Sequence, residues 1–277
     1  MRLITTSTTH HFSKVFASKV DHLHFQTYPS GELYAGKIKN YQGEKIIILH
    51  ATPRETLHRS FFELFFILEV LEAQGVASIT IIFTYLAYLR QDHSDYHPHP
   101  LDVLEKILSR FKHLKIYVVD PHTDVQQWGM MPLSLENFYA EKIQKIAPDA
   151  LIVAPDKGRH SMVGHLSKNF DLEALLLNKV RGSSISFTPC TNMKSVEGRH
   201  CIILDDIIDS GDTLSAVSHY LKEAGAAKVT SFVTHSLYER KSSLDFYYTN
   251  SLPPSINAKP ENVLCLSDFL KDSMKSI

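Results

Sequence analysis

Cysteine is scarce in this chain of 277 residues, which contains only Cys190, Cys201 and Cys265. Three cysteines cannot build the disulfide framework of a small secreted domain, and none of them stands in a CxxC pair that would indicate a zinc site. Free thiols persist where the surroundings are reducing. The cysteine content therefore predicts a protein of the cytoplasm.

Long apolar runs and an excess of one charge are also missing. Residues 61–71 form the most apolar stretch, but this stretch contains Glu63 and Glu69 and is shorter than the roughly 20 helical residues that cross a bilayer. The N-terminal sequence MRLITTSTTHHF lacks the apolar segment of a signal peptide. Lysine and arginine total 29 against 30 for aspartate and glutamate, a formal net charge of −1. We therefore expect neither a membrane nor a nucleic-acid partner.

Glycine-rich nucleotide motifs are absent from the sequence. No two of the 11 glycines stand closer than five positions apart, so the GxG core of a dinucleotide-binding fingerprint cannot form. The motifs GxxxxGK[ST], HExxH and GxSxG are missing as well. Any nucleotide must therefore be bound by other means.

The chain does contain short apolar runs of strand length that alternate with longer segments of helical period. Such runs are typical of buried strands in a parallel sheet, and seven are present, at residues 46–49, 79–83, 116–119, 151–154, 175–177, 201–204 and 229–233. Residues 56–74 have apolar positions at helical spacing, and Gly75 follows as a helix stop. The pattern predicts an α/β protein. Because a single core rarely exceeds about 250 residues, we expect two domains, residues 1–139 and 140–277.

The strongest local signal is the sequence CIILDDIIDSGDTL at residues 201–214. It reads as a buried strand that ends in two aspartates, a small polar loop and a helix. Carboxylates at the carboxyl end of a strand suit ribose hydroxyls or a hydrated Mg²⁺. Hydroxyls and a glycine at a helix N-terminus suit phosphate. A turn that merely caps the helix is the structural alternative. Unpaired carboxylates beside a core are costly, which favours a site for phosphate and sugar.

This segment resembles the phosphoribosyl-pyrophosphate loop of phosphoribosyltransferases and of ribose-phosphate pyrophosphokinase. Further segments resemble the kinase family in particular. They are YPSGE (28–32), YLAYLRQD (85–92), VDPH (119–122), VAPDKG (153–158) and NKVR (178–181). The similar segments occur in the same order and span roughly residues 23–270. The resemblance implies two phosphoribosyltransferase-like domains, each a largely parallel sheet flanked by helices.

The resemblance also implies a site map for ATP, ribose 5-phosphate and Mg²⁺. The first domain would bind the nucleotide through Tyr28, Ser30, Glu32, Arg90, Gln91 and Asp92. His122 and Asp156 would serve the metal–ATP complex. The sugar and its metal would contact Asp205, Asp206 and Asp209, and the 5-phosphate would contact Ser210, Gly211, Asp212 and Thr213. Lys179 and Arg181 would contact the transferring group as the catalytic pair. The family implies a homo-oligomer, a dimer or a hexamer.

Some residues depart from the family pattern. Ser30 stands where the family has aspartate, and the loop after residue 92 contains His93, His97 and His99 instead of lysine and arginine. Imidazole is mostly neutral at pH 7, so ATP binding would be weaker or dependent on pH. The three histidines are alternatively a transition-metal site. These departures leave open a non-catalytic regulatory paralogue of the kinase. The sequence DIIDSGDTL (206–214), which resembles the loop of the hypoxanthine enzymes, leaves open a hypoxanthine-type phosphoribosyltransferase.

Overall fold

The computed structural model describes residues 1–16, 20–23, 25–36, 38–91, 99–181, 185–190, 196–237, 245–254 and 259–277. The chain forms two compact units. The first contains residues 1–133, 251–253 and 270–277, and the second contains residues 134–250 and 254–269. The chain thus passes between the units after Leu133, and its C-terminal end belongs to the first unit.

The first unit contains a six-stranded sheet in which every pair of neighbours is parallel. Its strands are β1 (Arg2–Thr5), β2 (Val20–His22), β5 (Lys45–Ala51), β6 (Ser78–Tyr85), β7 (Leu114–Val119) and β8 (Met131–Leu133), in the order β2-β1-β5-β6-β7-β8. Strands β3 (Phe25–Thr27) and β4 (Leu33–Ala35) form a separate antiparallel hairpin. The central strands β5 and β6 are almost wholly buried, as their continuous apolar runs require.

Among the residues that the structure describes, helices α1 (Leu57–Ala73) and α2 (Pro100–Leu108) pack against this sheet. Helix α1 buries Leu64, Ile67, Leu68 and Leu71, which recur at three-to-four spacing and pack in one core with the strands. The helix ends at Gln74, and Gly75 follows with a positive φ of 70°. Glycine adopts this left-handed conformation without steric cost, so it ends the helix as the sequence predicts.

The second unit contains a seven-stranded sheet. Its strands are β9 (Leu151–Ala154), β10 (Ala174–Arg181), β11 (Ile185–Pro189), β12 (His200–Ile208), β13 (Lys228–Ser236), β14 (Phe246–Thr249) and β15 (Val263–Leu264), in the order β11-β10-β9-β12-β13-β14-β15. All neighbours are parallel except β10 and β11, which are antiparallel. Strand β12 lies between β9 and β13, and this central place explains why residues 201–206 are buried.

Helices α3 (Glu136–Ile146), α4 (His160–Phe170) and α5 (Asp212–Glu223) belong to the second unit. Helix α5 buries Leu214, Val217 and Leu221 in one core with Cys201 and Ile203 of β12. Helix α6 (Ser267–Ser276) begins in the second unit and ends in the first. Among the described residues, no helix combines the length and apolar character that a membrane crossing requires.

The predicted fold class is confirmed, because both units are largely parallel sheets flanked by helices. Each of the seven predicted strands is present, inside β5, β6, β7, β9, β10, β12 and β13. The strand predicted at residues 175–177 is longer than expected: β10 continues to Arg181, so Lys179 and Arg181 lie within the strand and not beyond it. The strand extends because β11 pairs with it in antiparallel register, with Lys179 opposite Phe187.

Candidate active site

The candidate site of the second unit starts at the carboxyl end of β12. Asp205 and Asp206 are 9% and 3% exposed, so both carboxyl groups lie in surroundings from which water is largely excluded. The backbone N–H of Asp206 donates to Oδ1 of Asp205 at 3.0 Å. Two adjacent buried carboxyl groups are costly unless cations or a ligand compensate their charge. The strand continues to Ile208 and does not end at the two aspartates as the sequence predicted, so β12 contains a buried pair of acids near its carboxyl end that its apolar core does not explain.

The next segment, named here the 209–213 loop, consists of residues 209–211 and the first two residues of α5, Asp212 and Thr213. Gly211 caps the helix with φ at 84°, a left-handed conformation that favours glycine. The hydroxyl of Ser210 donates to Oδ2 of Asp212 at 2.8 Å, so the exposed Asp212 carboxylate is held by its neighbour in the loop. The loop lies at the positive end of the α5 dipole, where an anionic group is favoured.

Lys179 connects the neighbouring part of the sheet to this loop. Its Nζ atom donates to Oγ1 of Thr213 at 2.6 Å. Leu175 and Leu177, at alternate positions before Lys179, pack in the same core as Ile203, which is two positions before Asp205. Because alternate residues of a strand share a face, Lys179, Asp205 and α5 lie on one side of the sheet. The structure thus brings Lys179, from the segment NKVR, to the same side of the sheet as Asp205 and to the side chain of Thr213, both from residues 201–214.

Arg159 is a residue of this site that the sequence analysis missed. Its Nη2 atom lies 3.2 Å from Oδ2 of Asp206, and the two side chains are 7% and 5% exposed. The Asp156 carboxylate accepts from the backbone N–H of Gly158 at 3.0 Å and so caps the short 3₁₀ helix Lys157–Arg159. The only signal in the sequence was the position of Arg159, directly after the VAPDKG segment.

The electrostatics of the acidic pair follow from this arrangement. Burial raises the pKa of Asp205 well above its usual value, and the charge of Asp206 and a hydrogen bond with it raise that pKa further. Arg159 acts in the opposite direction and lowers the pKa of Asp205. A ligand that supplies hydrogen-bond donors or positive charge would stabilise the charged form of this pair.

The first unit contains the candidate nucleotide-binding residues. Tyr28, Ser30 and Glu32 lie on the exposed turn between β3 and β4. The backbone N–H of Tyr28 donates to the carbonyl oxygen of Glu32, and the Ser30 hydroxyl donates to Oε2 of Glu32 at 2.6 Å. Serine therefore contacts a neighbouring carboxylate here, which the aspartate typical of the family would repel.

The remaining candidates of this unit follow the strands β6 and β7. Arg90 and Gln91 are exposed in the 3₁₀ helix Leu89–Gln91, while Asp92 lies outside the described residues. His122 is exposed and follows Asp120, which is buried with a positive φ of 39°. The carboxyl ends of parallel strands share one edge of a sheet, where α/β proteins bind ligands.

The histidine-rich loop is described only at its end. His93 and His97 lie outside the described residues, whereas the Nδ1 atom of His99 accepts from the backbone N–H of Leu101 at 3.1 Å and caps α2. One nitrogen of His99 is therefore used by the helix. Across the part of the chain that the structure describes, no group of three or more histidine, cysteine, aspartate or glutamate side chains is arranged to hold a metal ion.

Comparison with known proteins gives concordant results. The family model "N-terminal domain of ribose phosphate pyrophosphokinase" matches residues 2–108, and the model "Phosphoribosyl transferase domain" matches residues 133–264. The ribose-phosphate pyrophosphokinase of Maricaulis maris is 27% identical over 274 residues, covering 92% of this chain and 88% of that protein. The Sulfolobus acidocaldarius protein of the same name is 26% identical over 275 residues, covering 95% and 90%.

A solved structure extends the comparison to the fold. The phosphoribosylpyrophosphate synthetase from Mycobacterium smegmatis matches with a TM-score of 0.85 and 20% identity, covering 99% of this chain and 97% of that one. Fold and loop therefore define a protein of the phosphoribosyltransferase class, built from two such domains. Within this class, the chain belongs to the ribose-phosphate pyrophosphokinase family of enzymes, because the N-terminal model of that family matches the first unit.

Proposed function

We propose that this protein is a ribose-phosphate diphosphokinase, which transfers the β,γ-diphosphoryl group of ATP to the 1-hydroxyl of ribose 5-phosphate and gives phosphoribosyl pyrophosphate and AMP. The ribose 1-hydroxyl oxygen forms a bond to the β-phosphorus and releases its proton to water, while the bond from that phosphorus to the bridging oxygen breaks and this oxygen leaves with AMP. The observation that carries the proposal is the contact of Lys179 with Thr213 on the side of the sheet that also carries Asp205. It supports a site with a cation next to a phosphate loop and a sugar-binding carboxyl.

The second unit would bind the sugar phosphate. Ser210, Gly211, Asp212 and Thr213 would contact the 5-phosphate at the N-terminus of α5, and Asp205, Asp206 and Asp209 would contact the ribose hydroxyls. Charge spreads over the phosphate oxygens in the transition state, so positioning and cations supply most of the catalysis. Lys179 would stabilise that charge, together with Arg181, whose side chain lies outside what the structure describes.

The first unit would bind ATP through Tyr28, Ser30, Glu32, Arg90, Gln91 and Asp92. Mg²⁺ would neutralise charge on the phosphates of ATP. It usually keeps several waters and binds through one or two carboxylates plus substrate phosphates, so a closed cage of side chains is not required. The oxygen-rich ends of β9 and β12 fit this kind of site, with Asp156 as a carboxylate ligand. His122 of the first unit would also serve the metal–ATP complex. The protein would work as a homo-oligomer, either a dimer or a hexamer.

The test is AMP formation by the purified protein from ATP and ribose 5-phosphate with Mg²⁺ and inorganic phosphate. We expect Lys179→Met to lower kcat by roughly 10³-fold, as the loss of a cation at the transferring group does in other phosphoryl-transfer enzymes. Lys168→Met, an exposed lysine near the end of α4, is the matched control and should leave kcat unchanged. Absence of AMP above the Lys179→Met background would refute the proposal.

Two outcomes would point to the alternatives. Binding of ribose 5-phosphate without turnover would favour a regulatory paralogue, for which the altered Ser30 is the specific observation. Consumption of phosphoribosyl pyrophosphate that depends on hypoxanthine would favour a phosphoribosyltransferase.

A further inference from the structure

The buried ion pair between Arg159 and Asp206 joins the 3₁₀ helix that follows β9 to β12, the strand beside β9 in the second sheet. The guanidinium Nη2 atom lies 3.2 Å from the Asp206 Oδ2 atom, with side chains 7% and 5% exposed. The Nη1 atom lies 3.4 Å from Sδ of Met162, which gives the other side of the guanidinium a fixed neighbour. The Arg159 guanidinium is therefore buried and contacts its neighbours on two sides, unlike the solvated arginine side chains of a protein surface.

The backbone around Arg159 is fixed as firmly as its side chain. Asp156 caps the 3₁₀ helix that contains Arg159, and the N–H of Arg159 donates to the carbonyl oxygen of Asp156 at 3.2 Å. This short helix follows β9, and β9 pairs directly with β12 through Val153 and Ile203. The position of the guanidinium relative to Asp206 is therefore set by paired strands and a capped turn rather than by a flexible loop.

Arg159 has two effects on the acidic pair: it compensates part of the charge, and it orients one carboxylate. Asp205 and Asp206 are adjacent and buried, so one internal cation halves the formal negative charge at this point. Arg159 also fixes the direction of one carboxylate, because a planar guanidinium binds a carboxylate with defined geometry. Lys179 contacts Thr213 in the loop, so the two cations act on different parts of the site.

We propose that Arg159 is a positioning residue of the sugar site: it holds Asp206 in the orientation that binds the ribose hydroxyls and does not contact the substrate itself. This inference rests on the proposed function, since it assigns a role within the same ribose 5-phosphate site. It predicts that changes at Arg159 alter the affinity for ribose 5-phosphate and leave the affinity for ATP unchanged.

The experiment compares wild type with Arg159→Lys and Arg159→Met. Lysine keeps the charge and the fold but lacks the planar pair of donors, so we expect KM for ribose 5-phosphate to rise about 5- to 10-fold with kcat and the KM for ATP unchanged. We expect a rise of about 100-fold for Arg159→Met if it folds. Arg199→Lys is the matched control, because Arg199 forms a more exposed ion pair with Glu173 beside the opposite end of β12. It should leave both KM values unchanged.

Direct binding of ribose 5-phosphate, measured by calorimetry, separates this inference from the proposed function. If wild type binds ribose 5-phosphate but forms no AMP, the proposed function is wrong. The inference on Arg159 is still supported in that case if the dissociation constant for ribose 5-phosphate rises from wild type to Arg159→Lys and again to Arg159→Met. If both Arg159 variants bind ribose 5-phosphate as tightly as wild type and differ only in Tm, the pair is purely structural and the inference is wrong. Absence of binding by wild type would overturn both proposals.

Discussion

Two buried titratable residues, one of them in the candidate site, make the stability of the protein depend on pH. Asp205 in the second unit and His50 in the first are both buried, and burial disfavours the charged form of each. Their pKa values move in opposite directions, because the charged form of aspartate is the deprotonated one and that of histidine is the protonated one. The two residues therefore destabilise their units at opposite ends of the pH range.

We expect Asp205→Asn to stabilise the protein at pH 8. The raised pKa of Asp205 means that the folded state binds more protons than the unfolded state, so wild type loses stability as pH rises above the usual aspartate value. A pKa that is one pH unit higher in the folded state than in the unfolded state lowers the free energy of unfolding at pH 8 by about 1.4 kcal/mol. Urea unfolding at pH 8 and at pH 4 checks this: the gain should vanish at pH 4. Asp149→Asn, at an exposed site, should give no gain at either pH.

His50 gives the corresponding prediction at acidic pH. Burial lowers the pKa of His50 to about 3, and its Nδ1 atom hydrogen-bonds with the Thr6 hydroxyl at 2.9 Å. The unfolded state binds the extra proton below pH 6.5, so stability falls as pH falls. The loss from this residue between pH 6.5 and 5 should be about 2 kcal/mol.

The fluorescence of Trp128, the single tryptophan of the chain and a residue of the first unit, reports this unfolding. His50→Gln should remove most of the pH dependence in this range. His58→Gln, at an exposed histidine of α1, should leave it as in wild type. An equal slope for wild type and His50→Gln would contradict the assignment.

At the scale of the element, the 209–213 loop depends on the left-handed conformation of Gly211. We expect Gly211→Ala to destabilise the second unit by about 1–2 kcal/mol, because a Cβ atom is strained at φ 84°. The same change should weaken binding of ribose 5-phosphate. Thermal unfolding followed by circular dichroism measures the first effect, and calorimetry measures the second.

Gly164 offers a matched control for this prediction. It lies within α4, and an added Cβ atom would meet nothing within 4 Å. Gly164→Ala should therefore stabilise the protein by about 0.5–1 kcal/mol and leave binding unchanged. If both substitutions had the same effect on stability, the conformation of Gly211 would not explain the loss.

The strands that the sequence indicated most clearly, β5 and β12, are buried on both faces. Residues 46–49 and 201–204 are continuously apolar because their strands lie inside the sheets, so their type was readable without the structure. The edge strands β2, with the sequence VDH, and β15, with only two residues, carry no such pattern. Their strand conformation depends on pairing with neighbours that local sequence does not reveal.

The same reasoning explains which part of the site was predictable. Residues 205–213 lie together because they are consecutive in the sequence. The contact of Lys179 with Thr213 and the pairing of Arg159 with Asp206 join residues that are distant in the chain, so they depend on the order of β10, β9 and β12 in the sheet. Sequence spacing contains no information on that order. The resemblance supplied Lys179, but Arg159 had no motif to indicate it.

At the scale of the whole molecule, the first unit is built from both ends of the chain. Its main part is residues 1–133, yet residues 270–277 also belong to it. Leu270 is fully buried, and the Nζ atom of Lys271 lies 5.8 Å from the centroid of the Phe16 ring. In the sequence, the second unit thus lies between segments of the first, which also includes residues 251–253, and the first unit buries a residue from the C-terminal part of the chain.

We expect Leu270→Ala to lower the unfolding free energy of the first unit by about 2–5 kcal/mol, the usual cost of removing a buried leucine side chain and leaving a cavity. The urea transition of Trp128 fluorescence reports this unit, because Trp128 is 7% exposed and its Nε1 atom donates to Asp102 at 2.9 Å. Lys275→Ala, at an exposed residue of the same helix, should change the midpoint little. An unchanged Trp128 transition in Leu270→Ala would show that residues 1–133 hold their core without the chain end. A lowered midpoint would mean that the unit that contains the candidate nucleotide-binding residues is stabilised by Leu270, more than 130 residues beyond Leu133 in the sequence.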